Sequence, residues 1–408
     1  VIARLAWRGI WRHRRRTLIT VASIGFGLAC VVFFVAIADG MYAKLVEDAV
    51  RMQAGHVTLE HPEYRDAPEV GRRLGGTTAL RARIGRLPAV ERTKVLVLGQ
   101  GLARSGAGAV GVGVFGVEPS VEAAESPLAR RLVEGAFLDD GDATRVVLGA
   151  ELARRLDVKE DSKLVLSTND ASGALVEALF RVKGIFRTGA EEIDGYLVVL
   201  PISAARRLFG LGADEATQLG VILTRPEAVP EVLAALRRDV GGPGVVVRPW
   251  QEVLPELAAF MRLDRTSDYT FQGLLLLLVL FTIFNTILMS VLERQREFAV
   301  LLALGTQPEQ LRRQLLLEAA YVGLLGCALG LGVGGAVSGL VQVYGWDISF
   351  IYEEGFTISG LAVAPRIHAK VTAALLLVLG GVVLGATVLL AVPGVRRVGR
   401  LRVAELLR

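Results

Sequence analysis

Between two long apolar runs the chain carries ERQREFAVLLALGTQPEQLRRQLLLEA, from Glu293 to Ala320. Glu293, Arg294, Arg296 and Glu297 fall within one arc of a helix at about 100° per residue. Two carboxylates and two guanidinia so placed offer charge of both signs to a partner; they are not a reaction centre. Phe298 and Leu302 project to the other side. Gly305 is placed to stop the helix as a C′ glycine. Thr306 with Glu309 fits a capping box, and Pro308 falls in the first turn of the next helix. The pattern predicts a short, rigid, amphipathic helix at a membrane surface. It would expose both charge signs together with Phe298, turn sharply, and lead into a second helix.

Other stretches suggest reactive chemistry without completing it. Gly111-Val-Gly113-Val-Phe-Gly116 and Gly330-Leu-Gly332-Val-Gly334-Gly335 contain glycines at dinucleotide-motif positions. Neither opens a helix after a strand with an acidic residue about 20 positions on. The first reads as a glycine-rich hairpin strand, and the second lies inside an apolar run. No G-x-x-x-x-G-K-[ST] occurs in the sequence, so ATP hydrolysis is expected in a separate partner chain. His13, His56, His61 and His368 form no metal spacing and are read as surface residues. Cys30 and Cys327 both lie in apolar runs, which excludes a disulfide framework. No Ser–His–acid signature is present, and neither a catalytic nor a metal site is expected.

The elements around these residues follow from composition. Of 408 residues, 52% are hydrophobic and 21% charged, which fits a chain whose apolar residues are gathered in blocks. Four runs suffice to cross a bilayer, which takes about 20 apolar residues: Thr17–Ala38, Thr270–Leu292, Leu315–Tyr344 and Val371–Val392. The first, preceded by WRHRRR, is too long for the apolar core of a signal peptide. Arg4, Arg8, Arg12, Arg14, Arg15 and Arg16 precede it. Arg294, Arg296, Arg312 and Arg313 lie between spans two and three, and Arg396, Arg397, Arg400, Arg402 and Arg408 follow span four. The positive-inside rule places these three segments in the cytoplasm and residues 39–268 and 345–370 outside. Trp7 and Trp11 suit the inner interface, and Tyr269, Tyr344 and Trp346 the outer one. The basic excess flanks the membrane, where it meets anionic lipid, so no nucleic-acid partner is implied.

No charged residue sits in the middle of a span, which argues against an ion or proton pathway. Asn285 is the main polar residue at depth and is read as an interhelical hydrogen-bonding group. Ser23 and Gly27 on span one, Gly326, Gly330, Gly334 and Ser338 on span three, and Gly381 and Gly385 on span four recur every four residues. Small residues at this interval let backbones approach, either within the chain or across a dimer face.

Residues 39–268 read as mixed α and β. Short β-rich runs recur from Val57 to Val247, with helical patterns at Thr77–Arg86, Ala150–Leu156, Ile202–Leu208 and Val229–Arg238. Gln53–Gly116 and Gln218–Arg248 resemble two β-α-β halves around a separate β-rich insert, Pro119–Gly212. Gly40–Arg51 and Glu252–Asp268 continue the flanking spans as amphipathic helices, which predicts a stalk carrying the domain.

NTILMSVLERQREFAVLLALGTQPEQLRRQLLLEA, with its E-R-x-R-E core, the ALG at Ala303–Gly305 and Glu318, resembles the signature of the FtsX/MacB/LolC–LolE superfamily of permeases. LAWRGIWRHRRRTLIT and VPGVRRVGRLRVAELLR are similar to its two ends. QAGHVTLEHPEYRD is similar to the start of the outer domain in the lipoprotein-releasing LolC/LolE branch. The resemblance covers essentially the whole chain. It implies an α-helical membrane protein with four transmembrane helices and a large mixed α/β extracytoplasmic domain, porter-like plus Sabre-like, inserted between helices 1 and 2. The expected divisions are 1–38, 39–268, 269–292, 293–314, 315–344, 345–370 and 371–408.

A type VII ABC transporter of this kind pairs two permeases, identical or homologous, with two copies of a separate ABC ATPase. The ATPase binds ATP and Mg, and the permease chain holds no cofactor. By resemblance, Glu293, Arg294, Arg296, Glu297, Phe298, Leu302 and Gly305 form the segment the ATPase pushes. The implied work is extraction of a lipoprotein or lipid-like substrate from the bacterial inner membrane and delivery to a periplasmic acceptor. The LolC branch holds that acceptor with an elongated hairpin, and the matching stretch here, Leu166–Phe180, is short. A MacB-like exporter of other cargo and FtsX-like signalling to cell-wall enzymes are the alternatives.

Overall fold

The structure is a computed structural model that describes residues 2–12, 14–53, 55–347, 357–358, 361–362 and 366–398. His13, Arg400, Arg402, Arg408 and most of the loop after Asp347 lie outside the described residues. The chain opens with α1 (Ile2–Arg12) and α2 (Arg14–Met52). Then come β1 (Val57–Glu60), α3 (Thr77–Ile84), β2 (Val90–Arg104), β3 (Ala109–Val117), α4 (Pro119–Glu125), β4 (Leu132–Gly135), β5 (Arg145–Gly149), α5 (Ala150–Arg155) and β6 (Lys163–Asn169). β7 (Leu175–Phe186), α6 (Glu191–Asp194), β8 (Leu197–Pro201), α7 (Ile202–Phe209), β9 (Gln218–Leu223), α8 (Val229–Asp239), β10 (Val246–Pro249) and α9 (Trp250–Val253) complete the domain. α10 (Pro255–Glu293), α11 (Gln295–Ala303), α12 (Pro308–Tyr344) and α13 (Ala373–Val398) follow. The chain divides into a helical unit (1–42, 263–348, 366–408) and an α/β unit (43–262, 349–365).

In the α/β unit, β1-α3-β2 and β9-α8-β10 are two β-α-β units whose strands interleave as β10-β1-β9-β2, every neighbour antiparallel. This is the split β-α-β arrangement. β1 and β9 lie centrally and are buried along their whole length, the polar Thr58, Glu60 and Gln218 included, and Gln218 donates to Glu60 at 2.7 Å. α8 covers them with Val229, Val232 and Leu236, spaced to share one helix face. The insert is not a separate body, as its composition had suggested. β2 is 15 residues long; its first part pairs with β9 and its second with β3 and β6. β3 in turn pairs in parallel with β8, and one sheet runs on through β5, β7 and β4. The glycine-rich GVGVFG is an interior strand of this sheet.

Two buried polar groups fasten the end of α2 within this unit. Lys94 on β2 is 2% exposed, donates to the Arg51 carbonyl at 2.6 Å, and lies 2.8 Å from the equally buried Glu122. An ammonium thus occupies the negative end of the α2 dipole, among carbonyls that have no partner inside the helix. His56 is buried and not on the surface. Its ring Nδ1 accepts from the Leu223 amide, while its own backbone joins Val221 and Trp250. Burial, with Arg51 nearby, lowers its pKa to about 4, and Glu47 opposes this more weakly.

Among the described residues four helices are long and apolar enough to cross a membrane: α2, α10, α12 and α13. α2 and α10 each run 39 residues without a break, so each extends well past the length a bilayer needs. Glycines set the contacts between these helices. A Cβ on Gly326 would stand 2.6 Å from Ile24, on Gly330 2.8 Å from Leu28, and on Gly334 2.9 Å from Ala29. Gly27 packs equally tightly on Val279 of α10, while Ser23 bonds its own helix at Ile19. The four-residue interval on α12 is therefore occupied within the chain, and Ser338 is buried on the same face. Gly381 and Gly385 face open space. Asn285 is exposed on α10 and makes no interhelical hydrogen bond among the described residues.

Lys94→Met strands a buried carboxylate and should cost about 3–5 kcal/mol, with most recovered by adding Glu122→Leu. Urea unfolding of the full chain carrying Trp7→Phe, Trp11→Phe and Trp346→Phe, followed by Trp250 fluorescence, measures both; an unchanged midpoint in the single mutant would show the pair to be inert. His56 is depressed in the folded state. Its contribution is therefore complete above the unfolded pKa of about 6.5 and is lost as pH falls toward about 4. Exchange at the Leu223 amide should accelerate through that window and should lose this pH step in His56→Gln.

Candidate functional site: the helical elbow

The α10 helix ends at Glu293, and Arg294 leaves helical geometry (φ −99°, ψ 10°) before α11 begins. α11 lasts nine residues. Gly305 closes it at φ 91°, with its amide bonded to the Leu302 carbonyl and the Thr306 amide to the Leu301 carbonyl. These two bonds are a Schellman motif, which needs a residue tolerant of the left-handed region. The capping box expected from Thr306 and Glu309 does not form. Gln307 is the N-cap of α12, without a side-chain bond, and Pro308 follows with its φ already helical. The Schellman bonds take up Thr306 and move the helix start one residue on.

Arg294 organises the elbow. It is buried, donates to Glu318 of α12 at 2.7 Å and to Glu297 at 3.3 Å, and stacks over the Phe298 ring at 5.1 Å. Gln314 holds the other Glu318 oxygen at 3.1 Å. Glu318 also borders a cavity of about 60 Å³ whose lining includes Thr17, Thr20, Thr286 and Thr387. Each of these hydroxyls donates to a backbone carbonyl. α1 and the start of α2 complete the elbow from outside it. Arg16 meets Glu293 at 2.8 Å and Arg12 meets Glu297 at 3.6 Å. Gly9 lies against the Glu318 carboxylate, where a Cβ would come within 2.5 Å of Oε1. The charges of the signature are therefore shared between pairs inside it and pairs with Arg12 and Arg16.

Phe298 is 0% exposed and packs with Leu311 and Leu315, with Leu302 beside them. It is the core of the elbow and not an outward aromatic. Periodicity placed it opposite the charges, whereas Arg294 stacks on its ring and α12 folds back over it. Arg296, Val300 and Leu304, which recur every four positions, are exposed; Val300 is 45% and Leu304 77% exposed. Sequence reasoning passed over Val300 and Leu304 because an apolar residue beside a membrane span reads as part of the span.

Residues 17–239 match the MacB-like periplasmic core domain and residues 269–402 the FtsX-like permease C-terminal domain. The chain belongs to the FtsX/MacB-type permease family. It is thus an ABC permease, a non-catalytic transmembrane subunit that works with an ATPase, and a multi-pass membrane protein with a periplasmic-type domain between its first two spans. The permease is 23% identical over 344 residues to the lipoprotein-releasing system transmembrane protein LolC of Neisseria meningitidis, covering 81% of this chain and 77% of that one. It is 24% identical over 389 residues to the macrolide export ATP-binding/permease protein MacB of Nitrosomonas europaea, covering 88% and 55%. To the pyoverdine export ATP-binding/permease protein PvdT of Pseudomonas entomophila it is 25% identical over 402 residues, covering 93% and 56%. The permease spans only about half the length of these two ATP-binding relatives. The periplasmic region of MacB from Actinobacillus actinomycetemcomitans aligns with 50% of the permease at 11% identity and a TM-score of 0.36.

Phe298→Ala empties the elbow core and should cost about 3–5 kcal/mol. Exchange at α11 amides should rise sharply while amides of β1 and β9 stay protected. Equal protection of α11 in the mutant would contradict the packing.

Proposed function

We propose that the permease transmits force. The ATPase pushes on the elbow, α12, α1 and the start of α2 receive the push through Arg294, Glu318, Arg12 and Arg16, and α2 and α10 carry the movement toward the outer domain. The observation that carries this reading is the pair of unbroken 39-residue helices, α2 and α10, the second ending at the elbow. Their apolar stretches hold no ionisable conduit for a substrate. Elbow and termini then lie in the cytoplasm, and residues 39–268 outside, as the arginines favour.

The cargo in this reading is a lipoprotein, lifted from the outer leaflet by two permeases, identical or homologous, with two ATPase copies, and handed to a periplasmic acceptor. Extracting an acyl chain costs about 0.8 kcal/mol per buried CH₂, so the step needs outside work. The likeness to LolC over more than three quarters of both chains supports this cargo. An exporter reading has its own support. MacB and PvdT are as similar in identity. Moreover, β6 and β7 join in a tight turn at Asp170–Ala174, where Asp170 accepts from Ser172 and Ala174, with no long hairpin to grasp an acceptor.

Reconstitution with the cognate ATPase and partner permease in lipoprotein-bearing liposomes decides between them. ATP-dependent release to a soluble acceptor should occur and should fail with the unlipidated protein. Stimulation by small exported molecules, with lipoproteins left in the bilayer, would establish the exporter. Leu304→Asp should weaken ATPase binding about tenfold or more, as loss of one buried anchor costs about 2 kcal/mol, without unfolding the elbow. Unchanged recruitment would remove the Val300–Leu304 face from the contact. Single cysteines at Gln307 and Lys159 test the topology: an impermeant reagent on intact spheroplasts should label 159 and spare 307.

A further inference from the structure

α1 has two faces with different tasks. Ala6 and Ile10 are buried, and Gly9 abuts Glu318, so one face is spent on the elbow. The opposite face carries Arg4 and Arg8, one turn apart and exposed, and no ion pair or hydrogen bond engages either among the described residues. Trp7, Trp11 and Leu5 flank them and are also exposed. Trp7 is steadied edge-on by Tyr321 of α12 at 5.5 Å and by Trp11 at 6.0 Å. One residue joins α1 to α2, whose apolar run begins at Thr17. α1 therefore cannot stray far from the edge of the hydrocarbon layer. A short helix with arginines flanked by tryptophan and leucine, held at that depth, has the make-up of an interfacial helix. Its free guanidinia match phosphate oxygens in geometry and sign.

We propose that this face of α1 binds anionic phospholipid head groups through Arg4 and Arg8, with Trp7 and Trp11 set among the head groups beside them. Lipid charge then steadies the elbow, because the same helix reaches it through Arg12 and Gly9. Only the value of a steadied elbow depends on the force-transmission reading; the lipid contact stands apart from it and is tested without an ATPase.

The full chain carrying Trp250→Phe and Trp346→Phe leaves Trp7 and Trp11 as its fluorophores. In nanodiscs of phosphatidylcholine, equal minor fractions of brominated phosphatidylglycerol and brominated phosphatidylcholine are compared as quenchers. The anionic quencher should act more strongly, with a preference of about fivefold per arginine at low salt. Arg4→Gln/Arg8→Gln should abolish that preference, whereas Arg14→Gln/Arg15→Gln should keep most of it. Equal quenching by both lipids in the parent chain, or a preference that survives Arg4→Gln/Arg8→Gln, overturns the proposal. Exchange at α11 amides should be slower with phosphatidylglycerol present and should lose that dependence in Arg4→Gln/Arg8→Gln. Selective quenching with lipid-independent exchange would keep the lipid contact and refute its effect on the elbow.

Discussion

Arg294 and Glu318 form the contact on which the helical unit depends. The helix must break at Arg294, and the guanidinium of the breaking residue is turned inward to the carboxylate of the next long helix. A buried pair of this kind adds little stability over an apolar substitute, yet losing one partner is costly, so its contribution is geometric. It fixes where α11 leaves α10 and where α12 returns. Glu297, Gln314, Phe298 and Gly9 are all placed by it. The acidic and basic residues that make this segment conspicuous serve chiefly to hold it in shape. The surface left for a partner is the plainer row of Arg296, Val300 and Leu304.

The α/β unit is governed by β2. Because one strand serves both the split β-α-β sheet and the sheet beyond it, the two halves share hydrogen bonds rather than merely a linker. The buried Lys94 on the same strand also takes hold of the last turn of α2. Strand pairing, the ion pair with Glu122 and the capped helix end thus converge on a few residues.

Much of this was legible in the sequence. Span number, the elements of the outer domain and the stop at Gly305 follow from periodicity and from the few residue types that tolerate a given backbone. What stayed hidden depended on contacts between distant segments. Thr306 and Glu309 satisfied a local rule, but the Schellman bonds, reaching back to Leu301, took Thr306 first. Phe298 read as an exposed aromatic because the cover supplied by Leu311 and Leu315 is tertiary. His56 read as a surface residue because nothing local shows β9 and α9 closing over it. The boundary drawn after Gly116 failed for the same reason, since β3 finds its partner β8 some 80 residues later.

The seam between α2 and α12 has a consequence for how this unit can deform. Where Gly330 meets the Gly25 carbonyl and Gly334 meets Ala29, main chain lies almost directly on main chain. An ordinary interface yields to shear by letting long side chains swing to other rotamers. Here there is little side chain to swing, so the joint has almost no compliance. Displacement of one helix either carries the other with it or parts the two outright.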